Sequence, residues 1–198
     1  PLITLGAYKI NDIRQNIRVA ETVAHPKYND PVRLANDIML LRLKIEAKIG
    51  AEVETVCLPD AIHENYATLQ AGESWKLEEP TTVFHRGSVP IVSSSDYYFT
   101  YKGLLYSSML SAGFEEGEMD ACQGNSGGGM VCEFNGKWYL EGVTSWRHGC
   151  ADKGKYGVYA KVRHFMHWIQ DKMKNNPLSL TFDEADAEVN AIVRWVEK

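Results

Sequence analysis

The sequence predicts an all-β fold, and three observations lead there. Short runs rich in Ile, Val and Thr recur with partial alternation, turn-forming residues punctuate them, and only two late stretches carry helical spacing. The first strands are expected at residues 2–5 and 17–23, separated by a polar loop over 9–16. β-branched side chains suit the pleated, half-buried surface of a sheet. Residues 25–31, His-Pro-Lys-Tyr-Asn-Asp-Pro, form a turn-rich surface segment. Residues 36–43 follow as a strand whose apolar centre implies burial on both faces. Cys57-Leu58-Pro59 looks like a connection between lobes, and residues 60–88 carry weak signals. Residues 89–92 read as an edge strand, because Pro90 cannot donate to a ladder. Further strands are expected at 136–145 and 157–162. Residues 164–174 space Phe165, Trp168, Ile169 and Met173 along one helical face. Beyond Asn175-Asn176-Pro177, Thr181 and Glu184 fit a capping box. Phe182, Ala185, Val189, Ile192, Val193 and Val196 then share a face, so 175–198 reads as an acidic amphipathic helix. It packs on its own domain or on a partner.

The 198 residues suffice for one sizeable domain or two small lobes. With 44% hydrophobic and 24% charged residues the composition is globular rather than disordered. The net charge of -5 and the absence of a Lys/Arg run argue against a nucleic-acid partner. No apolar run reaches the ~18 residues of a membrane span. The sequence opens on Pro1-Leu2-Ile3-Thr4-Leu5 with no signal peptide of its own. Cys57, Cys122, Cys132 and Cys150 match no zinc spacing, so no metal and no cofactor is expected. Four cysteines allow three full pairings, which leaves the redox compartment open.

Gly124-Asn125-Ser126-Gly127-Gly128-Gly129 is the most informative segment. A turn of small residues around one serine suits an exposed nucleophile, since glycines let the backbone approach a substrate and direct N–H groups toward it. Taken alone it is an ordinary Gly/Ser turn. Its surroundings add force. Asp120-Ala-Cys-Gln-Gly-Asn-Ser-Gly-Gly-Gly-Met-Val-Cys132 resembles the nucleophile segment of the chymotrypsin/trypsin family of serine proteases. The stretch 142–151, Gly-Val-Thr-Ser-Trp-Arg-His-Gly-Cys-Ala, resembles that family's substrate-binding strand. Residues 157–162 with Trp168-Ile169 are similar to its last strand and helix, and 36–43 to the segment that bears its aspartate. The likenesses fall in family order over residues 2–174.

The resemblance implies two six-stranded antiparallel β-barrels and a C-terminal helix, with the first barrel incomplete. Residues 1–57 would be the remainder of the first barrel, 58–174 the second with its helix, and 175–198 an appended tail. Unpaired strand edges in such a barrel are a liability. The family's Ser-His-Asp mechanism assigns Ser126 as nucleophile and Asp37 as the buried carboxylate that orients the histidine. Without the resemblance, Asp37 reads equally as a loop aspartate. The N–H groups of Gly124 and Ser126 would form the oxyanion hole. Asp120 would lie at the base of a pocket for a substrate Lys or Arg. Gln123, Ser145, Trp146, Arg147, Gly149 and Gly157 would border the substrate. Cys122 and Cys150 would form a disulfide across the pocket walls. Cys57 resembles the cysteine that ties the protease chain to an N-terminal chain. The implied protein is extracellular and acts on polypeptides.

The chain also departs from the family pattern. The family's base lies upstream of its aspartate in an Ala-Ala-His-Cys setting, and none of His25, His63, His85, His148, His164 and His167 has that context. Asn125 stands where active relatives carry Asp, whose pairing with a new amino terminus shapes the oxyanion hole. Arg147 replaces a glycine at the pocket rim and either covers the mouth toward Asp120 or points outward. Gly129 replaces a proline. Ser111 and Tyr97 replace both halves of a family disulfide, and the usual partner position of Cys132 falls near Gln70. Ala7 replaces the first Glu of a calcium loop, so no calcium site is expected there. Two functions follow: a serine endopeptidase cleaving after Lys or Arg that is inactive as this chain stands, or a non-catalytic pseudoprotease that binds protein ligands.

Overall fold

A computed structural model describes residues 1–7, 14–59, 70–72, 88–92, 106–116, 126–146, 153–174 and 192–193. The first sheet holds β1 (Leu2–Leu5), β2 (Gln15–Ala24) and β3 (Met39–Leu43). β1 and β2 match the strands expected from their β-branched runs, with β2 longer at both ends. All pairings are antiparallel, and a bulge sits in β2 between Val19 and Glu21. β3 begins only at Met39, because Asn36 adopts a left-handed φ of 55° that no strand accommodates. Every residue of β3 is partly exposed, unlike the burial on both faces that its apolar centre implied. A fourth strand, β10 (Ile192–Val193), lies on its outer edge. The spacing of the tail predicts an amphipathic helix there instead. The rest of that segment lies outside the described residues.

The second sheet has six strands: β4 (Gln70–Gly72), β5 (Ser88–Pro90), β6 (Met109–Ala112), β7 (Gly129–Phe134), β8 (Lys137–Trp146) and β9 (Gly157–Lys161). Their order is β5-β4-β7-β8-β9-β6, all antiparallel. β5 is an edge strand, as Pro90 requires. The two edges meet at one bridge, Ile91 with Ala112, supported by Val92 N–H donating to Ser111 O at 2.9 Å and Gly113 N–H to Pro90 O at 3.0 Å. The sheet thus curls toward a barrel whose seam is a single bridge. A turn of 3-10 helix, Val162–Phe165, leads into α1 (Met166–Lys174).

The central core joins these parts. Ile38, Leu140, Val143, Ala160, Val162, Phe165 and Ile169 form one buried cluster. It draws on the residue after Asp37, on the middle of the six-stranded sheet, and on the helix. Each of its larger side chains, Ala160 apart, contributes about 1.5–3 kcal/mol on full burial. Close packing explains Gly142: a Cβ there would lie 2.9 Å from Met130 Cε and 3.1 Å from Tyr159 Cβ. Among the described residues no helix is long and apolar enough to cross a membrane.

Candidate active site

Asp37 is 4% exposed and sits at the end of a tightly bonded loop. His25 N–H donates to Ile38 O at 3.0 Å, which closes the loop at its base. The Asn36 amide then donates across it, to Lys27 O at 3.0 Å and Asp30 O at 2.7 Å. Asn36 N–H donates to the buried Ser108 Oγ at 3.2 Å, which pins the loop to the second sheet. Asn29 (φ 64°) and Leu34 (φ 60°) also take left-handed conformations. Asn adopts this region readily because its short side chain bonds locally. Leu34 does not, and Asn29 Oδ1 holds it by accepting from Leu34 N–H at 2.7 Å. The carboxylate is therefore positioned before any substrate arrives.

Ser145 Oγ donates to Asp37 Oδ2 at 2.5 Å, a distance typical of a hydroxyl on an ionised carboxylate. The physical cause of this contact is a β-bulge. Thr144 pairs with Tyr159 and Trp146 with Val158, so Ser145 is the extra residue on β8. A bulge breaks strict alternation and re-aims one side chain. Here it coincides with the serine that reaches Asp37 on the other lobe. Removing the hydroxyl by Ser145→Ala should destabilise the fold by about 1.5–3 kcal/mol, the range for hydrogen bonds to charged groups. Urea denaturation with unchanged slope checks this; an unaltered midpoint would mean the bond contributes nothing.

Ser126 is half-buried at the start of a turn whose next residue, Gly127, has a φ of 80°. That left-handed value requires glycine without strain. The turn is fastened to β8 next to the bulge. Gly127 N–H donates to Thr144 O at 2.9 Å, Thr144 N–H to Gly128 O at 2.9 Å, and Thr144 Oγ1 to Gly128 O at 3.1 Å. One strand end therefore holds both the Ser126 turn and, through the next residue, Asp37. Trp146 packs beside Ala35, Met109, Tyr156 and Val158. Gly157 is buried at the start of β9, opposite Ala112. Asp120, Cys122, Gln123, Gly124, Asn125, Arg147, Gly149 and Cys150 lie outside the described residues.

Sequence reasoning missed Asn36 and Ser108 as supports of Asp37. The Asn-Asp pair after a turn-rich loop offered a signal for the first, since Asn favours left-handed backbone. Nothing in sequence links Ser108 to Asn36 or Ser145 to Asp37.

Three histidines are described. His25 packs edge-on against Phe165 and Trp168, with ring centroids 5.3 Å and 4.9 Å away. His164 is in contact with Phe165, and His167 is exposed on α1. Burial lowers the His25 imidazole below its ordinary value, and His164 and Lys27 lower it further. His164 is lowered by burial and by Lys161. Because the folded values are depressed, the unfolded chain binds more protons as the pH drops. The associated stability is complete above about pH 6.5 and is lost as the pH falls below it. Thermal melts should therefore show Tm declining below about pH 6.5, less steeply in His25→Gln; identical profiles would contradict this.

A cavity of about 440 Å³ is lined by His25, Pro26, Lys27, Asp30, Pro31, Asn36, Tyr106 and His164, and includes neither Ser126 nor Asp37. Among the described residues neither Cys57 nor Cys132 forms a disulfide. Burial, with Glu141 adding, pushes Cys132 up to about 12, although Arg163 opposes the shift. It is a packed, unreactive thiol at neutral pH. Among the described residues no cluster of three His, Cys, Asp or Glu could hold a metal ion.

The family model described as Trypsin matches residues 3–169. Anionic trypsin of Canis lupus familiaris is 38% identical over 181 residues, covering 88% of this chain and 71% of the dog protein. Anionic trypsin of Bos taurus is 37% identical over 186 residues, with the same shares. Trypsin-3 of Salmo salar is 37% identical over 185 residues, 88% of this chain and 74% of the fish protein.

Proposed function

Because this chain belongs to the trypsin family, we propose that Ser126 and Asp37 are the nucleophile and orienting carboxylate of a serine-endopeptidase site for Lys- or Arg-containing polypeptides. The 198-residue chain does not itself turn such substrates over. The observation that carries the first part is the shared anchor on β8: Thr144 holds the Ser126 turn while Ser145 holds Asp37. In the family's mechanism a histidine between the two takes the serine proton and returns it to the leaving amine. The second part rests on the histidines. His25 is engaged with Phe165 and Trp168, and no histidine of this sequence has the family's setting for the base. A serine without its base is a weak nucleophile, and loss of a triad member costs about 10⁶ in turnover.

The remaining roles follow from the family assignment. Gly124 and Ser126 N–H groups receive the developing oxyanion. Asp120 pairs with the substrate cation, and Gln123, Ser145, Trp146, Gly149 and Gly157 border the bound chain. Cys122 and Cys150 form the disulfide of the pocket wall, and Cys57 attaches an N-terminal chain. This chemistry belongs outside the cell, where disulfides persist. A second reading, a non-catalytic module that binds protein ligands in the same cleft, is favoured by Asn125 and Arg147. Neutral Asn125 makes only an ordinary hydrogen bond, about 0.5–1.5 kcal/mol against about 1.5–3 for a charged group.

Two measurements on the folded chain test the proposal. With a Lys- or Arg-anilide peptide, hydrolysis should not exceed that of Ser126→Ala. With benzamidine, a planar cation like the arginine head, binding should occur and vanish in Asp120→Asn. Turnover that Ser126→Ala removes would overturn the inactivity, and a chain that binds no cation would overturn the pocket.

A further inference from the structure

The cavity beside the Asp37 loop gathers basic side chains from distant parts of the sequence. His25 and Lys27 come from the loop itself, and His164 from the 3-10 turn that leads into α1. Asn36 and Tyr106 complete the wall, and Asp30 is the one carboxylate among its lining residues. The space measures about 440 Å³. A water molecule takes about 30 Å³ of liquid volume, so there is room for more than a small ion. We propose that this cavity is a binding site for a tetrahedral oxyanion, sulfate or phosphate, held by Lys27, His25 and His164 and taken up together with protons.

The charges around the two rings favour an anion. The titratable groups that face them are Lys27 and Asp30 from the loop, Tyr106 from the segment before β6, and Lys161 at the end of β9. Burial opposes a second proton on His25, and His164 and Lys27 then oppose it further. Burial and Lys161 do the same to His164. A bound oxyanion reverses this, because its charge favours the protonated rings. Protonation also costs little locally. His25 Nδ1 accepts from Lys27 N–H at a long 3.3 Å, a weak bond to give up. Lys27 and two imidazolium rings offer several charged donors, which suit the four oxygens of a dianion. A metal ion fits less well: Lys27 repels it, and among the described residues no cluster of three His, Cys, Asp or Glu exists. The site uses neither Ser126 nor Asp37, so it stands apart from the proposed protease function.

Imidazole NMR on the full 198-residue chain, with inorganic sulfate as the probe, tests this. Sulfate keeps both its charges from about pH 5.5 to about pH 7.5, so a pH dependence in that range belongs to the protein. Sodium chloride at matched ionic strength controls for screening. Sulfate should shift the His25 and His164 signals saturably. Its affinity should rise about tenfold or more between about pH 7.5 and about pH 5.5, as the rings gain protons, and sulfate should in turn raise the titration midpoints of both rings. Lys27 is exposed, so Lys27→Ala should keep the fold and weaken binding about tenfold, the worth of one charge-assisted bond. Asp30→Asn removes the repelling carboxylate and should tighten binding. Lys137→Ala, on the exposed β7–β8 hairpin, should leave it unchanged. Phenyl sulfate separates the two sources of such a group. Tighter binding than inorganic sulfate marks an ester carried on a larger ligand, and equal binding marks the free ion. Shifts that never saturate, or that chloride reproduces, overturn the proposal. So does an affinity that does not rise as the pH falls, or one that neither Lys27→Ala nor Asp30→Asn alters.

Discussion

Replacing Arg163 with alanine is expected to destabilise the chain by about 3–5 kcal/mol, a fall in Tm of roughly 6–20 °C for a protein of this size. Arg163 Nε donates to Glu141 Oε2 at 3.3 Å, and its Nη2 donates to Oε1, a two-point match of guanidinium to carboxylate. The side chains are 16% and 8% exposed, so water cannot replace either partner well. Glu141 owes its inward position to the other bulge of β8: Met130 pairs with Gly142 and Val131 with Leu140, which leaves Glu141 as the extra residue. Truncating the arginine removes the counter-charge of this buried carboxylate beside Cys132 and the Val162–Phe165 turn. Replacing both members, as in Glu141→Leu with Arg163→Met, should cost much less, because no unpaired charge remains. Thermal denaturation of the single and double variants decides it. A single variant within about 1 kcal/mol of wild type would mean the pair is solvated.

Phe165→Ala should cost about 3–5 kcal/mol, the range for deleting a fully buried ring. Phe165 is 1% exposed and touches both halves of the molecule. It belongs to the cluster containing Ile38 and Val143, and it meets the His25 ring edge-on. Because Ile38 follows Asp37 and His25 closes the Asp37 loop, the cavity would open directly behind the carboxylate. The variant should thus lose stability and also hydrogen-exchange protection at Ile38 N–H, which donates to Asn36 O at 3.0 Å. A stability loss with the Asp37 loop unaffected would show that the core and the site are separable. Phe165→Leu, which retains most of the volume, should cost under about 1.5 kcal/mol.

The features that set strand positions were legible in sequence where they are local. β1 appears where its run of Leu, Ile and Thr placed it, and β5 is an edge because of Pro90. The Ser126 turn followed from its glycines, and Gly127 does take the left-handed φ that such a turn uses. What could not be read is whatever depends on pairing. Bulges are a property of two strands, so neither Glu141 nor Ser145 revealed its re-aimed side chain. The Asp37–Ser145 bond spans 108 residues and leaves no local trace. Residues 36–38 looked like strand because Ile38 is apolar, yet Asn36 spends its amide on two loop carbonyls instead. In the tail, helical spacing and β-branching coincide on Ile192 and Val193, and these two residues pair with Leu41 and Leu40 of β3.

In the proposed function Ser126 is the nucleophile of a serine-protease site that lacks its base in these 198 residues. Fluorophosphonate modification followed by intact-mass and peptide mapping reports on that serine directly. The folded 198-residue chain, checked by near-ultraviolet circular dichroism, should leave Ser126 unmodified over a period in which an active trypsin at equal concentration reacts to completion. Rapid and selective labelling of Ser126 in the isolated chain would contradict the account.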